Sequence, residues 1–316
     1  MRDNGASSNL TRWGDCVQRL KKVGKVVGYS LGGLCLLLLL TQAFLLRGSR
    51  GRTIDPAVGP KSVRYTSVPT ILIPGWGGNT VTYNQLINRY QERNTAQKVM
   101  TVWVSPRNRI RVSGDWHGQP NALIQVLFDW NYNTSFHPQV SQLRHVLIYL
   151  NQHYGIRQTN IIAHSWGGTE FMHAYMGSKR LQQQLRLNKL IFLGVPVEES
   201  LSDHLPYHYL LVHHSKDKNF HQLRVQMKDW QLNYPITIYN LMGSKEGSRL
   251  TDGEVPHIQS EMLRALIQSH PTISYHQRIY ANITHSQLHS RPVILNQIER
   301  ILWGKEDAKC RRNTAR

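Results

Sequence analysis

Acidic residues are scarce in this 316-residue sequence. It holds 19 Asp and Glu against 38 Lys and Arg, which gives a formal net charge of +19. Such a balance favours contact with polyanions such as nucleic acid, anionic lipid or an acidic cell-wall polymer. The basic residues are spread along the chain, and no helix-turn-helix, zinc-finger or RNP-type pattern accompanies them. We therefore expect no nucleic-acid partner, whereas an anionic cell-wall polymer is a polyanion that the chain could contact.

Cysteine is also rare, which argues against a disulfide framework and a zinc site. Cys35 lies in an apolar run, and Cys16 and Cys310 lie in opposite terminal segments. No spacing among them is typical of zinc ligands. A domain of this size does not need disulfide bonds, so their scarcity leaves export open. We expect neither a metal nor an organic cofactor.

Charge is absent from residues 26–46, a run of 21 residues that includes five successive leucines, Leu36–Leu40. A helix rises about 1.5 Å per residue, so this run reaches about 32 Å and matches a hydrocarbon core of about 30 Å. The run predicts a single transmembrane helix. A cleaved signal peptide is the alternative, because Thr41-Gln42-Ala43 resembles a cleavage site, although the apolar run continues past it.

The sequence gives only a weak indication of how this helix is oriented in the membrane. Five Lys or Arg residues lie in the fifteen positions before the run and four in the fifteen after it, so the positive-inside rule barely decides. A lone N-terminal span before a folded domain is typical of a signal anchor. We expect a single-pass protein of the cell membrane with an extracellular domain.

The rest of the chain divides by composition. Residues 1–25 form a basic tail, and residues 47–62, rich in Gly and Pro, are predicted to be a linker. Residues 63–304 are predicted to form one domain, and residues 305–316 a basic tail. Within the domain, residues 198–234 are interpreted as a cap or lid.

Strand-like and helix-like segments alternate through the predicted domain. Apolar runs bounded by turn residues predict strands, and one apolar stripe at helical spacing comprises Leu143, Val146, Leu147 and Leu150. Alternation of this kind predicts the α/β class, with a mainly parallel sheet covered by helices on both faces.

The strongest local motif is AHSWGG, residues 163–168, between a predicted strand and a predicted helix. This is the context of a nucleophile elbow, a tight turn that lifts a serine hydroxyl above the sheet edge. Only small residues fit two places before and after the serine, and these are Ala163 and Gly167. The motif predicts Ser165 as a nucleophile at a helix N-terminus, where N–H groups favour an oxyanion.

A glycine-rich loop, IPGWGG at residues 73–78, follows the first predicted strand of the domain. In hydrolases with this elbow, the corresponding loop supplies one N–H of the oxyanion hole. The predicted donors are the backbone N–H groups of Trp76 and Trp166.

Two later segments offer the remaining members of a triad. The turn TDGEVP, residues 251–256, supplies Asp252, with Glu246 as the alternative carboxylate. The segment THSQLH, residues 284–289, supplies His285, with His289 as the alternative. The resulting chain order is serine, aspartate, histidine, as expected for an α/β hydrolase.

Together these segments resemble the α/β hydrolases known as membrane-bound cell-surface hydrolases of Gram-positive bacteria. The resemblance covers residues 63–304. It is carried by PGWGG (74–78), FDWN (128–131), YLNQHYGI (149–156), the elbow at 163–168, LGVP (193–196), the Asp252-Gly253 turn and HSQLH (285–289). Pro74, Ala163 and Val197 depart from the residues that relatives often carry, and none of these departures removes a catalytic group.

The resemblance implies the α/β-hydrolase fold, a Ser-Asp-His triad and a surface location, and it supplies no substrate. We expect a serine hydrolase that cleaves a carboxylic ester. A lipid-like acyl chain is one candidate for the acyl part, and thioesters and peptides stay open as substrates. Two alternatives remain open: acyl transfer on the same triad, and a membrane-tethered binding module without turnover.

Overall fold

A computed structural model of the chain describes residues 6–201, 206–268 and 270–305, with side chains from residue 21 onward. The chain divides into two compact units, and the division falls between Arg47 and Gly48. The tail predicted for residues 305–316 lies outside the described residues, except for Lys305.

The first unit is one long helix, α1, Ala6–Leu45. Its segment Lys21–Leu45 has a mean hydropathy of 1.9 and is long enough to cross a membrane. The side chains of Leu36–Leu40 are between 58% and 68% exposed, so they do not form a protein core. The described part of the basic segment 1–25 is helical and continuous with the apolar run.

The second unit begins at Gly48, so it includes all but the first residue of the segment 47–62 that the sequence predicts to be a linker. The backbone N–H of Gly48 donates to the Thr80 hydroxyl at 3.0 Å. The N–H of Ser49 donates to the side-chain oxygen of Gln125 at 2.8 Å, and Ser49 is buried. These hydrogen bonds hold the start of the segment on the domain, and composition alone could not reveal them.

Eight strands form a single sheet in the order β3-β2-β4-β1-β5-β6-β7-β8, with β3 antiparallel to β2 and all other neighbours parallel. The strands are Thr70–Ile73 (β1), Gln97–Val104 (β2), Ile110–Gly114 (β3), Ala122–Phe128 (β4), Gln158–His164 (β5), Arg186–Leu193 (β6), Ile236–Ser244 (β7) and Ile273–Ala281 (β8). The predicted mainly parallel sheet is confirmed.

Helices cover both faces of this sheet. They are Thr80–Glu92 (α2), His137–Tyr154 (α3), Trp166–Met176 (α4), Lys179–Gln184 (α5), Lys218–Lys228 (α6), His257–Glu261 (α7), Leu263–Ile267 (α8) and Pro292–Trp303 (α9). Successive residues of a strand point to opposite faces. Accordingly, Ile71 and Ile73 lie in one apolar core with residues of α3 and α4, and Leu72 lies in another with residues of α2 and α9. The α/β architecture follows from this division.

The apolar stripe predicted from helical spacing is buried against the sheet. Its four members, on α3, are at most 1% exposed: Leu143, Val146, Leu147 and Leu150. Helix α3 is followed by Gly155, which has a φ of 65°, a left-handed conformation that glycine adopts without a steric penalty. The periodicity therefore predicted both the helix and the face that it buries.

The segment predicted as a cap, residues 198–234, packs largely on the body of the domain. Helix α6 within it buries three side chains in the same core as α4: Phe220, Leu223 and Met227. Among the described residues of the segment, Glu199 alone lines a described cavity beside Ser165. The interpretation of residues 198–234 as a cap or lid stays a prediction, and helix α6 packs into the core within it.

Candidate active site

The turn between β5 and α4 holds Ser165 in an uncommon backbone conformation, with φ 53° and ψ −138°. A non-glycine residue with positive φ costs about 1–3 kcal/mol and persists only where its surroundings enforce it. The N–H of Ser165 donates to the carbonyl of Leu193 at 3.0 Å. A Cβ atom on Gly167 would lie 2.4 Å from the Pro74 carbonyl oxygen, so the turn admits only glycine there. The sequence predicted this steric limit.

The loop after β1 lies directly against this turn. A Cβ atom on Gly75 would approach the Ser165 Cβ to 2.6 Å, which no side chain allows without movement. The backbone N–H groups of Trp76 and Trp166 donate to no described residue. Two unpaired donors thus lie on the two segments that meet at Ser165, as an oxyanion hole requires.

Asn131, which follows β4, fastens the loop after β1 by three hydrogen bonds. Its Nδ2 donates to the carbonyls of Gly75 at 2.7 Å and Gly78 at 3.3 Å. Its own carbonyl accepts from the N–H of Gly77 at 2.7 Å. Asn131 is 3% exposed, and its Oδ1 accepts from Gln139 at 3.3 Å. The loop is therefore held in place from a neighbouring strand end.

The predicted carboxylate and imidazole meet in a buried hydrogen bond. Asp252 Oδ2 and His285 Nδ1 lie 2.7 Å apart, and the two residues are 2% and 3% exposed. Asp252 Oδ1 accepts from the N–H groups of Glu254 at 3.0 Å and Val255 at 2.8 Å. The carboxylate is thus fixed on one side and orients the imidazole on the other.

The second ring nitrogen of His285 is free. His285 Nε2 is buried and has no hydrogen-bond partner among the described residues. The nearest carboxylate oxygen to it, Glu254 Oε2, lies 3.8 Å away. Ser165 and His285 line one cavity. Since hydrogen bonds between catalytic groups often tighten only when substrate binds, this arrangement suits proton transfer between the two.

The alternative residues lie elsewhere. Glu246 is exposed and has no hydrogen bond to His285. His289 does not bond to Asp252, and its ring lies 4.7 Å from that of His164. Burial lowers the pKa of His289 to about 4 and also lowers that of His164. Both rings are therefore neutral at pH 7 and add no positive charge beside His285.

Two cavities open at Ser165. The larger, of about 690 Å³, is lined by Trp76, Tyr132, Asn133, Thr134, Ser165, Trp166, Pro196, Glu199, Glu254, Val255 and Gln259. The smaller, of about 380 Å³, is lined by Gly75, Trp76, Gly77, Gly78, Thr82, Tyr132, His164, Ser165, Glu254, His285, Ser286 and His289. The serine borders both, so a molecule bound at Ser165 can extend into either cavity.

Glu199 and Tyr132, for which the sequence predicted no role, line these cavities. Trp166 Nε1 donates to Glu199 Oε1 at 2.6 Å. Burial raises the pKa of the Glu199 carboxyl, and this hydrogen bond offsets only part of the rise. Asn131 and Tyr132 follow β4, the strand beside β1, and neighbouring parallel strands end at one edge. The position of Asn131, just after a strand that neighbours β1, was the feature of the sequence that could have indicated a role for it. In the described residues, no group of three or more His, Cys, Asp or Glu side chains could hold a metal ion.

Comparison with known families agrees with this geometry. Residues 59–305 match a family described as alpha/beta hydrolases of unknown function (DUF915). The chain belongs to this family. The matched range contains every residue of the candidate site. No curated protein sequence matches the chain.

Solved structures support the same fold for this α/β hydrolase. The product of the lin2722 gene of Listeria innocua is 20% identical, with a TM-score of 0.62 over 76% of this chain and 96% of that one. A Lactobacillus plantarum protein, named as a candidate cell surface hydrolase, is 17% identical, with a TM-score of 0.59 over 78% and 96%. At such identities the likeness establishes the fold alone.

We predict that acid destabilises this α/β hydrolase through buried neutral histidines. Desolvation lowers the pKa of His173 to about 4, and His137 contributes. Between pH 4 and the unfolded value near 6.5, the unfolded chain binds the proton more strongly, so stability falls as pH falls through that window. Between pH 7.5 and pH 5, His173 should account for about 2 kcal/mol of the free energy of unfolding.

Urea titrations of the full chain in detergent at both pH values measure this effect. His173→Phe keeps the ring stacked on Phe136 and should reduce the difference, whereas His153→Phe, at an exposed position, should leave it unchanged. An identical pH dependence in wild type and His173→Phe would refute the assignment.

Proposed function

We propose that this chain is a membrane-anchored serine hydrolase that cleaves carboxylic esters through Ser165, His285 and Asp252. The observation that carries the proposal is the buried Asp252–His285 hydrogen bond, which leaves His285 Nε2 unpartnered beside the cavity of Ser165. A buried imidazole nitrogen without a hydrogen bond costs free energy. A hydroxyl group that donates to this nitrogen would remove that cost.

Acylation begins with attack of Ser165 Oγ on the ester carbonyl carbon. His285 Nε2 takes the hydroxyl proton, and Asp252 stabilises the imidazolium that forms. The backbone N–H groups of Trp76 and Trp166 donate to the tetrahedral oxyanion. The bond to the leaving alcohol then breaks, and the alcohol departs with the proton from Nε2. An acyl-enzyme on Ser165 remains.

Deacylation repeats these steps with water. His285 Nε2 takes a proton from water as its oxygen attacks the acyl carbonyl, and the same two N–H groups stabilise the second oxyanion. The bond to Ser165 Oγ breaks, and the serine recovers its proton from Nε2. The carboxylic acid is released and the triad is regenerated. The reaction consumes only the ester and one water molecule.

A lipid-like acyl chain suits the surroundings of the serine. Trp76, Trp130 and Tyr132 form an aromatic cluster with ring centroids 5.4–6.0 Å apart, and their side chains are 38–57% exposed. Such amphipathic rings are favoured at membrane–water interfaces. The helix α1 supplies the membrane attachment, and the hydrolase domain is placed outside the cell.

Two single substitutions test the triad. Ser165→Ala should abolish hydrolysis of p-nitrophenyl butyrate, because the variant lacks the hydroxyl that attacks the ester carbonyl. Asp252→Asn should lower kcat by about 10²–10⁴-fold, because the imidazole loses its orienting carboxylate. Release of p-nitrophenol by the full chain in detergent measures both.

The matched control for Asp252→Asn is Asp115→Asn, which breaks an exposed aspartate–histidine contact with His117 at 2.8 Å. It should keep wild-type kcat. A wild-type rate in a folded Ser165→Ala variant would exclude Ser165 as the nucleophile.

Asn131 is a positioning residue for the Trp76 donor. Asn131→Asp loses both hydrogen bonds from Nδ2 and places a carboxylate against two carbonyls, so the loop should move. We expect kcat to fall by about 10–100-fold with KM changed less than threefold, since one oxyanion donor contributes about 10²–10³-fold.

Asn94→Asp is the control for this substitution, because Asn94 lies outside both cavity walls and its Oδ1 accepts from the N–H of Asp55 at 3.1 Å, a hydrogen bond that a carboxylate can keep. Steady-state kinetics and melting temperatures of both variants decide the outcome. A rise in KM alone for Asn131→Asp would contradict a role in transition-state stabilisation.

Membrane anchoring predicts that the mature protein keeps helix α1. After expression in a Gram-positive host, the chain should stay in the membrane pellet through alkaline carbonate extraction. Its intact mass should include residues 1–46, and protease added to intact protoplasts should degrade the hydrolase domain. A soluble protein whose N-terminus lies after Ala43 would establish a cleaved signal peptide instead.

A further inference from the structure

The larger cavity beside Ser165 has an unusual wall for so basic a chain. It includes three aromatic and two acidic side chains: Trp76, Tyr132, Trp166, Glu199 and Glu254. The chain has twice as many Lys and Arg as Asp and Glu, yet neither basic residue is in the described lining of this cavity or of the smaller one. The site therefore carries local negative charge within a positive molecule.

The two carboxylates have oxygens to offer a ligand. Glu254 borders both cavities, and its side chain is 66% exposed in the structure. Its Oε2 lies 3.8 Å from His285 Nε2. Glu199 Oε1 accepts from Trp166 Nε1, and its Oε2 accepts no hydrogen bond from a described residue. A cation between them would favour the ionised form of both.

The aromatic side chains are fixed in orientation. Trp76 Nε1 donates to the Asn133 carbonyl at 2.8 Å, and Trp166 Nε1 donates to Glu199. Tyr132 meets Trp76 edge to face, with ring centroids 6.0 Å apart. Because the N–H of each indole is already engaged, what these side chains offer a ligand in the cavity is their aromatic surface. Such faces attract ammonium groups, and quaternary ammonium ligands are often bound by aromatic side chains.

We propose that this cavity selects esters that carry a positively charged amine or quaternary ammonium group. The charge lies among Glu199, Glu254 and the rings of Trp76, Tyr132 and Trp166, while the ester carbonyl reaches Ser165. This inference rests on the proposed ester hydrolysis. It names the substrate class of that site, and the bonds made and broken are those of acylation and deacylation.

Two pairs of ester substrates distinguish a preference for positive charge from a preference for shape. One pair carries the charge in the acyl part: p-nitrophenyl 4-(trimethylammonio)butyrate and its carbon isostere, p-nitrophenyl 5,5-dimethylhexanoate. The other pair carries it in the alcohol: butyrylcholine and 3,3-dimethylbutyl butyrate. Members of a pair share size and branching, so the ratio of their kcat/KM values reports the charge. We expect the cationic ester to be preferred by about tenfold in at least one pair, since each tenfold step needs about 1.4 kcal/mol.

Substitutions locate the source of the preference. Glu254→Gln and Glu199→Gln should each lower the cationic-to-neutral ratio threefold or more, and the double variant should bring it close to one. Glu246→Gln is the control, because it removes a carboxylate of an exposed residue outside both cavity walls. Tetramethylammonium chloride should inhibit hydrolysis of p-nitrophenyl butyrate by the full chain in detergent more strongly than sodium chloride at equal concentration.

The outcomes distinguish the two levels of the proposal. Turnover of neutral esters with a ratio at or below one in both pairs would overturn the cation preference and leave ester hydrolysis standing. A preference that survives in the folded double variant would also overturn the assignment to these carboxylates. Absence of turnover with every ester and of Ser165 labelling by a fluorophosphonate would overturn both proposals together.

Discussion

The close contact between the turn at Ser165 and the loop at Pro74–Gly78 is the constraint on which the site depends. Ser165 has a positive φ there, and Gly75 of the loop lies directly against it. In the proposed mechanism the N–H groups of Trp76 and Trp166, one on each segment, serve as the oxyanion donors. Strain of this kind persists only where packing enforces it. Here the parallel pairing of β1 with β5 supplies that packing, because it ends both strands at one edge of the sheet. Asn131 extends the support from β4.

Burial sets the electrostatics around this contact. The Asp252–His285 pair is almost fully buried, so its hydrogen bond acts in a medium of low dielectric constant. His164 packs on His285 with ring centroids 4.4 Å apart, and burial keeps it neutral, so it adds bulk without opposing an imidazolium. The carboxylates of the site are therefore of two kinds. Asp252 is buried against His285, whereas Glu199 and Glu254 border the open cavities.

Much of the fold could be predicted from the sequence, because apolar period and turn chemistry are local signals. The stripe on α3 and the small residues around Ser165 are examples. The packing of Gly48 and Ser49 on the domain, and of α6 into its core, could not be predicted, since both depend on partners distant in sequence. Chain order and turn context led to Ser165, Asp252 and His285. Asn131 ends the FDWN segment, but that segment indicated no role for it, and Glu199 lies in no motif; only the ends of neighbouring elements bring the two residues to the site.

The most direct test of the account is the location of covalent modification on the native chain. The full-length protein in detergent is treated with a fluorophosphonate, and the modified peptide is identified by tandem mass spectrometry beside a folded His285→Gln variant. The account predicts one phosphonyl adduct, on Ser165, and a labelling rate at least 100-fold lower in the variant. An adduct on another serine, or equal labelling of the two proteins, would contradict the claim that the buried imidazole activates Ser165.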